Sequence, residues 1–174
     1  ERDRVVRALG GHDAGDPRHL RHRSLGEVPG AGGAHRQSTH LDPAAGDRVG
    51  PWGLNLVTHS TYDRLPAELE LVERYRPPLV ITALGSPARV IETVHGYGGL
   101  VFADVGSGAM ARKAAQAGVD GLILVSTGAG GHTGSVSPFV FVQAVRQFFD
   151  GIVVLAGGLC NGGAIRAAEV AGAD

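Results

Sequence analysis

Five short apolar runs, at residues 52–57, 79–84, 100–105, 121–125 and 152–156, recur at intervals of about 20 to 30 residues. Each is nearly continuous in hydrophobicity, without polar alternation, which is the pattern of parallel strands covered on both faces. The segments between them carry helical spacing. Leu65, Leu69 and Val72 fall on one face of the first, and Pro87 stands at the first turn of the second, which Gly96 would stop. Ala111, Ala114 and Ala115 mark a third that ends at Gly118, and Phe141, Val145, Phe148 and Phe149 a strongly amphipathic fourth. The order is strand then helix, repeated, so the fold class is α/β.

Residues 1–48 have none of this pattern. They hold eight of the sixteen basic residues and five of the eight histidines, but no Ile, Phe, Tyr, Trp or Met. A segment so poor in large apolar side chains cannot offset the entropy of ordering itself, so it is expected to be a disordered, low-complexity region or an out-of-frame translation of GC-rich DNA. His12, His19, His22, His35 and His40 share no ligand spacing, and no metal site is expected. The expected division is 1–48 and 49–174.

At 174 residues, 43% hydrophobic and a net charge of −1, the chain has the composition of one ordinary globular domain. Neither a basic surface for nucleic acid nor a long apolar span for a membrane is present, and the N-terminus lacks the apolar stretch of a secretory signal. The cytoplasm is the default expectation. The single cysteine, Cys160, excludes an intrachain disulfide.

The chemistry is concentrated after the fourth and fifth runs. The stretch Gly128-Ala129-Gly130-Gly131-His132-Thr133-Gly134 has four glycines in seven residues around one ionisable side chain. Glycines let a backbone approach a ligand and adopt positive φ, and an imidazole held there is suited to moving a proton. The same residues also suit a flexible surface loop. Gly157-Gly158, before the start of a helix, offers backbone N–H groups to an anion, or serves only as a tight connection. Asn55 lies near the end of the first run and Asp104 at the end of the third. Asp104 could position His132, but an acidic residue there is equally suited to capping a helix.

No G-x-G-x-x-G turn follows the first run, as a doubly wound dinucleotide-binding sheet would usually require. In an open sheet and in a barrel alike, ligands sit at the carboxyl ends of the strands. The helix ends Ala117-Gly118-Val119-Asp120 and Ala171-Gly172-Ala173-Asp174 repeat one pattern, and the second stops where another strand is expected. Five units of about 25 residues fall well short of the roughly 250 residues of a closed eight-unit barrel, so the chain is expected to be a fragment.

Several motifs in order resemble the nitronate monooxygenase family. They are Gly53-Leu54-Asn55-Leu56, Tyr97-Gly98-Gly99-Leu100-Val101-Phe102, Ala117-Gly118-Val119-Asp120-Gly121-Leu122-Ile123, the Gly128–Gly134 loop, and Ala156-Gly157-Gly158. The resemblance implies a partial (β/α)8 TIM barrel of about five βα units, with the first and last strands missing. It implies an FMN cofactor, dioxygen as co-substrate and a nitroalkane or nitronate as substrate. By the same resemblance His132 is the catalytic histidine, Asn55 and Gly131 contact the flavin, and Gly157 and Gly158 help to hold its phosphate. The family's first flavin-contacting strand and its last phosphate loop have no counterpart in this sequence. Two other readings stand beside it: an FMN-dependent enoyl-acyl-carrier-protein reductase, and an inactive truncated or frameshifted product.

Overall fold

The computed structural model of the protein describes residues 52–174; the expectations for residues 1–48, the five histidines included, lie outside the described residues. The strands are β1 (Gly53–Val57), β2 (Leu79–Ala83), β3 (Leu100–Val105), β4 (Gly121–Val125) and β5 (Ile152–Ala156). The helices are α1 (Leu65–Tyr75), α2 (Ala88–Gly96), α3 (Gly108–Ala117), α4 (Pro138–Arg146) and α5 (Gly162–Ala171). The strands form one parallel sheet in the order β1-β2-β3-β4-β5. Right-handed crossovers in a sheet that never reverses its order put every connecting helix on the same face. This is the winding of a barrel sector, whereas a doubly wound sheet reverses at a switch point.

Burial follows that winding. Leu56, Val80, Thr82, Val101, Ala103, Val105, Leu122, Leu124, Val153 and Leu155 alternate along the strands and are buried. Their core is shared with Leu65 and Val72 of α1, Val90 and Val94 of α2, Ala111 and Ala114 of α3, Phe141, Val142 and Val145 of α4, and Ala168 of α5. The opposite face carries Asn55, Ile81, Asp104, Ile123 and Val154, which are exposed or half-buried. The apolar runs led to the expectation of strands covered on both faces; helices cover one face, as in a barrel sector, and the other is exposed or half-buried. Phe102 is the exception on the inner face, buried because its ring lies over Gly121, where a Cβ would come within 2.6 Å of it.

Local chemistry sets the element ends. Ser107 caps α3 by accepting the Met110 N–H at 3.3 Å, and Asn161 caps α5 by accepting that of Ala164 at 2.9 Å. Gly118 and Gly172 end α3 and α5 in left-handed conformations, with φ of 93° and 110°. The repeated Asp that follows each glycine returns to a strand. The Asp120 N–H donates to the Val101 carbonyl at 2.9 Å, and the Asp120 carboxylate accepts the Val101 N–H at 2.8 Å. Asp174 makes the same exchange with Val153, at 2.9 Å in both directions. Helix α2 ends at Gly96, as expected, and a left-handed turn follows at Gly98, with φ of 83°. One expectation shifts. Phe148 and Phe149 lie past the end of α4, where their N–H groups still bond to Val145 O at 3.0 Å.

Candidate active site

A cleft of about 680 Å3 opens at the carboxyl ends of β2 to β5, lined by residues that include Ala83, Asp104, Val125, His132, Gly157 and Gly158. Its upper wall is the β4–α4 loop, which folds back on one residue. The carbonyl of Ser126 accepts the N–H of Ala129 at 3.2 Å, the N–H of Gly134 at 3.3 Å and the hydroxyl of Thr133 at 3.2 Å. Ser126 is itself fully buried and bound to β5, donating both its N–H and its hydroxyl to the Ala156 carbonyl, at 2.9 and 2.8 Å. The glycine stretch is thus a tethered loop with a fixed base. His132 stands exposed near its tip and lines the cleft.

Glycine is required where the loops touch. A Cβ on Gly157, whose φ is +116°, would lie 2.7 Å from both Ala129 N and Ser126 Oγ. One on Gly134 would lie 1.9 Å from the Val125 carbonyl oxygen. Real Cβ contacts do not reach these distances, so only a bare backbone lets the two loops close together. Gly158 follows with φ of +73°. Among the described residues, no hydrogen bond uses the N–H groups of Gly157, Gly158 or Leu159. An anion placed against this turn would meet unpaired donors next to the N-terminus of α5.

Asp104 occupies the cleft-facing side of β3. Half-buried and without a hydrogen-bond partner among the described residues, it has its carboxyl pushed above the ordinary carboxylate range by desolvation. It does not cap a helix, since Ser107 fills that position on α3. Among the described residues, Asp104 and His132 are the ionisable side chains of the lining, with no Lys or Arg.

The structure brings His132, Gly157 and Gly158 around one cleft and does not bring all five expected site residues together. Gly131 is adjacent in the loop, with φ of +68°, but lies outside the lining. Asn55 is exposed on the inner face, in register with Ile81 and so one pleat below Ala83, also outside the lining. Asp104 and Ser126 were not among the expected site residues. The signal for Asp104 was an acidic residue ending an otherwise apolar strand; that for Ser126 was a small polar residue directly after β4.

The chain has measurable likeness to known proteins. It is 41% identical over 98 residues to Rv1533 of Mycobacterium tuberculosis, a protein named as a monooxygenase, in an alignment covering 55% of this chain and 26% of that one. Among solved structures, FabK from Thermotoga maritima superposes with a TM-score of 0.64 at 29% identity, over 72% of this chain and 40% of FabK. Nitroalkane oxidase from Streptomyces ansochromogenes superposes with a TM-score of 0.66 at 23% identity, over 71% of this chain and 48% of the oxidase, a likeness of fold. The chain therefore spans less than half the length of each. These neighbours are TIM-barrel enzymes, in keeping with the single-sided winding of the sheet. Residues 49–174 match the profile of the nitronate monooxygenase family, and the chain belongs to that family.

Proposed function

We propose that the chain is part of an FMN-dependent enzyme that oxidises nitronates, or the nitroalkanes from which they derive, with dioxygen. The observation that carries this reading is the meeting in one cleft of an exposed imidazole, His132, and a glycine turn, Gly157-Gly158, whose N–H groups are unpaired among the described residues. The unpaired N–H groups at the turn before α5 suit a phosphate, so the residues present fit a phosphate-bearing cofactor. When bound, the flavin supplies the two-electron oxidation and the reaction with dioxygen.

The remaining steps belong to side chains and backbone of this chain. Gly157 and Gly158 would hold the cofactor phosphate through their N–H groups. By the family pattern Asn55 and Gly131 would contact the flavin, from positions beside the cleft lining. His132 removes the α proton of a neutral nitroalkane, or donates to the nitro oxygens when the nitronate is bound directly. Residues 49–174 form the flavin-binding barrel portion, residues 1–48 a separate low-complexity segment, and the cytoplasm is the site of action.

The test is a comparison of electron acceptors and donors on the FMN-loaded protein. Dioxygen uptake on addition of a nitronate, without NADPH, is the expected result. NADPH oxidation coupled to reduction of an enoyl thioester, with no nitronate-dependent uptake, would assign the chain to the reductase reading instead.

A further inference from the structure

Leu84 directly follows β2 with a φ of +58°, a left-handed backbone that leucine rarely adopts. The residues on either side explain how it is held. Thr58 donates its N–H to the Ala83 carbonyl at 2.9 Å, and the Gly85 backbone lies so close to Thr58 that a Cβ there would sit 2.2 Å from its carbonyl oxygen. The chain must turn between two pinned points, and residue 84 makes the turn. A glycine would do so without strain. Nor does packing account for the leucine, because its side chain is 55% exposed and takes no part in the hydrophobic core. Its exposed side chain lines the cleft. Strain that persists beside a site, with no core contact in return, points to a role in that site.

Met110, in the first turn of α3, is 45% exposed and lines the same cleft, as do Ala83, Ile123 and Val125. The apolar side chains Leu84 and Met110 follow β2 and β3, whereas His132 and Gly157-Gly158 follow β4 and β5. At roughly 4.8 Å per strand, the Leu84 end lies about 10 Å from the His132 end. That is the reach of a medium-length alkyl chain. Asp104 lies between the two ends, and among the described residues no cation lines the cleft, so a carboxylate or phosphate on the far end of such a chain would find no partner there.

We propose that Leu84 and Met110 form the wall that seats an uncharged, apolar arm of the substrate, with the left-handed backbone of Leu84 presenting that residue to the cleft. The proposal rests on the nitronate reading only in placing the reacting end of the substrate at His132.

Calorimetric titration of the purified chain with 1-nitroalkanes of increasing length, and with the matching primary alcohols, tests it. Affinity should rise in both series by up to about fourfold per added methylene, the usual effect of burying one. Leu84→Gly should raise the thermal midpoint by releasing the strain and flatten the dependence on length, and Met110→Ser should flatten it without raising the midpoint. Affinity that does not depend on length in the unsubstituted chain, or a dependence that survives Leu84→Gly, would overturn the wall. Nitroalkanes that bind no better than alcohols of equal length, with the length dependence intact, would leave the wall standing and overturn the nitronate reading.

Discussion

The Ser126 hydroxyl donates to the Ala156 carbonyl at 2.8 Å, and the same carbonyl accepts the Ser126 N–H at 2.9 Å. This double contact joins the end of β4 to the end of β5 at the base of the loop that carries His132. Ser126→Ala should cost about 1 kcal/mol, the net worth of one buried hydrogen bond. Gly157→Ala should cost more, about 2 kcal/mol or above, because the added Cβ meets backbone at Ala129 and cannot be relieved by a rotamer change. Urea denaturation checks both. A Gly157→Ala chain as stable as the parent would mean that the two loops are not in contact.

The exchange between Asp120 and Val101 holds the entry to β4 against β3, and His95 adds a contact to the same carboxylate at 2.9 Å. Asp120→Ala leaves the Val101 N–H without its acceptor and should cost about 1 to 3 kcal/mol. Hydrogen exchange should accelerate at Val101 while the amides of β5 keep their protection. Uniform acceleration through the sheet would indicate that Asp120 supports the whole fold rather than this one junction.

Asp104 makes stability depend on pH. Because burial raises its folded value, the folded chain retains a proton that the unfolded chain has already lost. Its contribution is therefore fully present below the ordinary carboxylate range and is lost as pH rises through the folded value. Asp104→Asn removes that loss, so the advantage of the variant over the parent should widen between about pH 4 and pH 7. Denaturant midpoints at the two pH values measure it. A constant difference would show that the carboxyl is not desolvated.

Much of the fold was legible because its determinants are local. The apolar runs fall within one residue of the observed strands, and the discrepancy at residue 84 has a cause: Leu84 turns left-handed and leaves the strand. Nothing about a leucine announces that conformation, which comes from the pinning of Thr58 and Gly85. The stop of α2 at Gly96 was legible because glycine is a weak helix former, so the break is a local property. In the site, the glycine loop and Gly157-Gly158 were visible because glycine's function there is a backbone property. Asp104 was harder to place. Two polar residues, Asp104 and Ser107, precede α3 within one turn, and only the structure distinguishes the cap from the cleft residue. Asn55 could be assigned to a strand end, yet its layer in the sheet depends on pairing with Ile81, which is non-local.

The proposed role of His132 is to act on a proton in a cleft whose backbone would hold the cofactor. The most direct measurement compares the FMN-loaded parent with His132→Ala on a neutral nitroalkane and on the preformed nitronate. Flavin binding should be nearly unchanged, turnover of the neutral nitroalkane should fall by about 10² to 10⁴, and oxidation of the nitronate should fall much less, since its proton has already gone. Equal losses on the two substrates, or no loss on either, would contradict the assignment of His132 as the base.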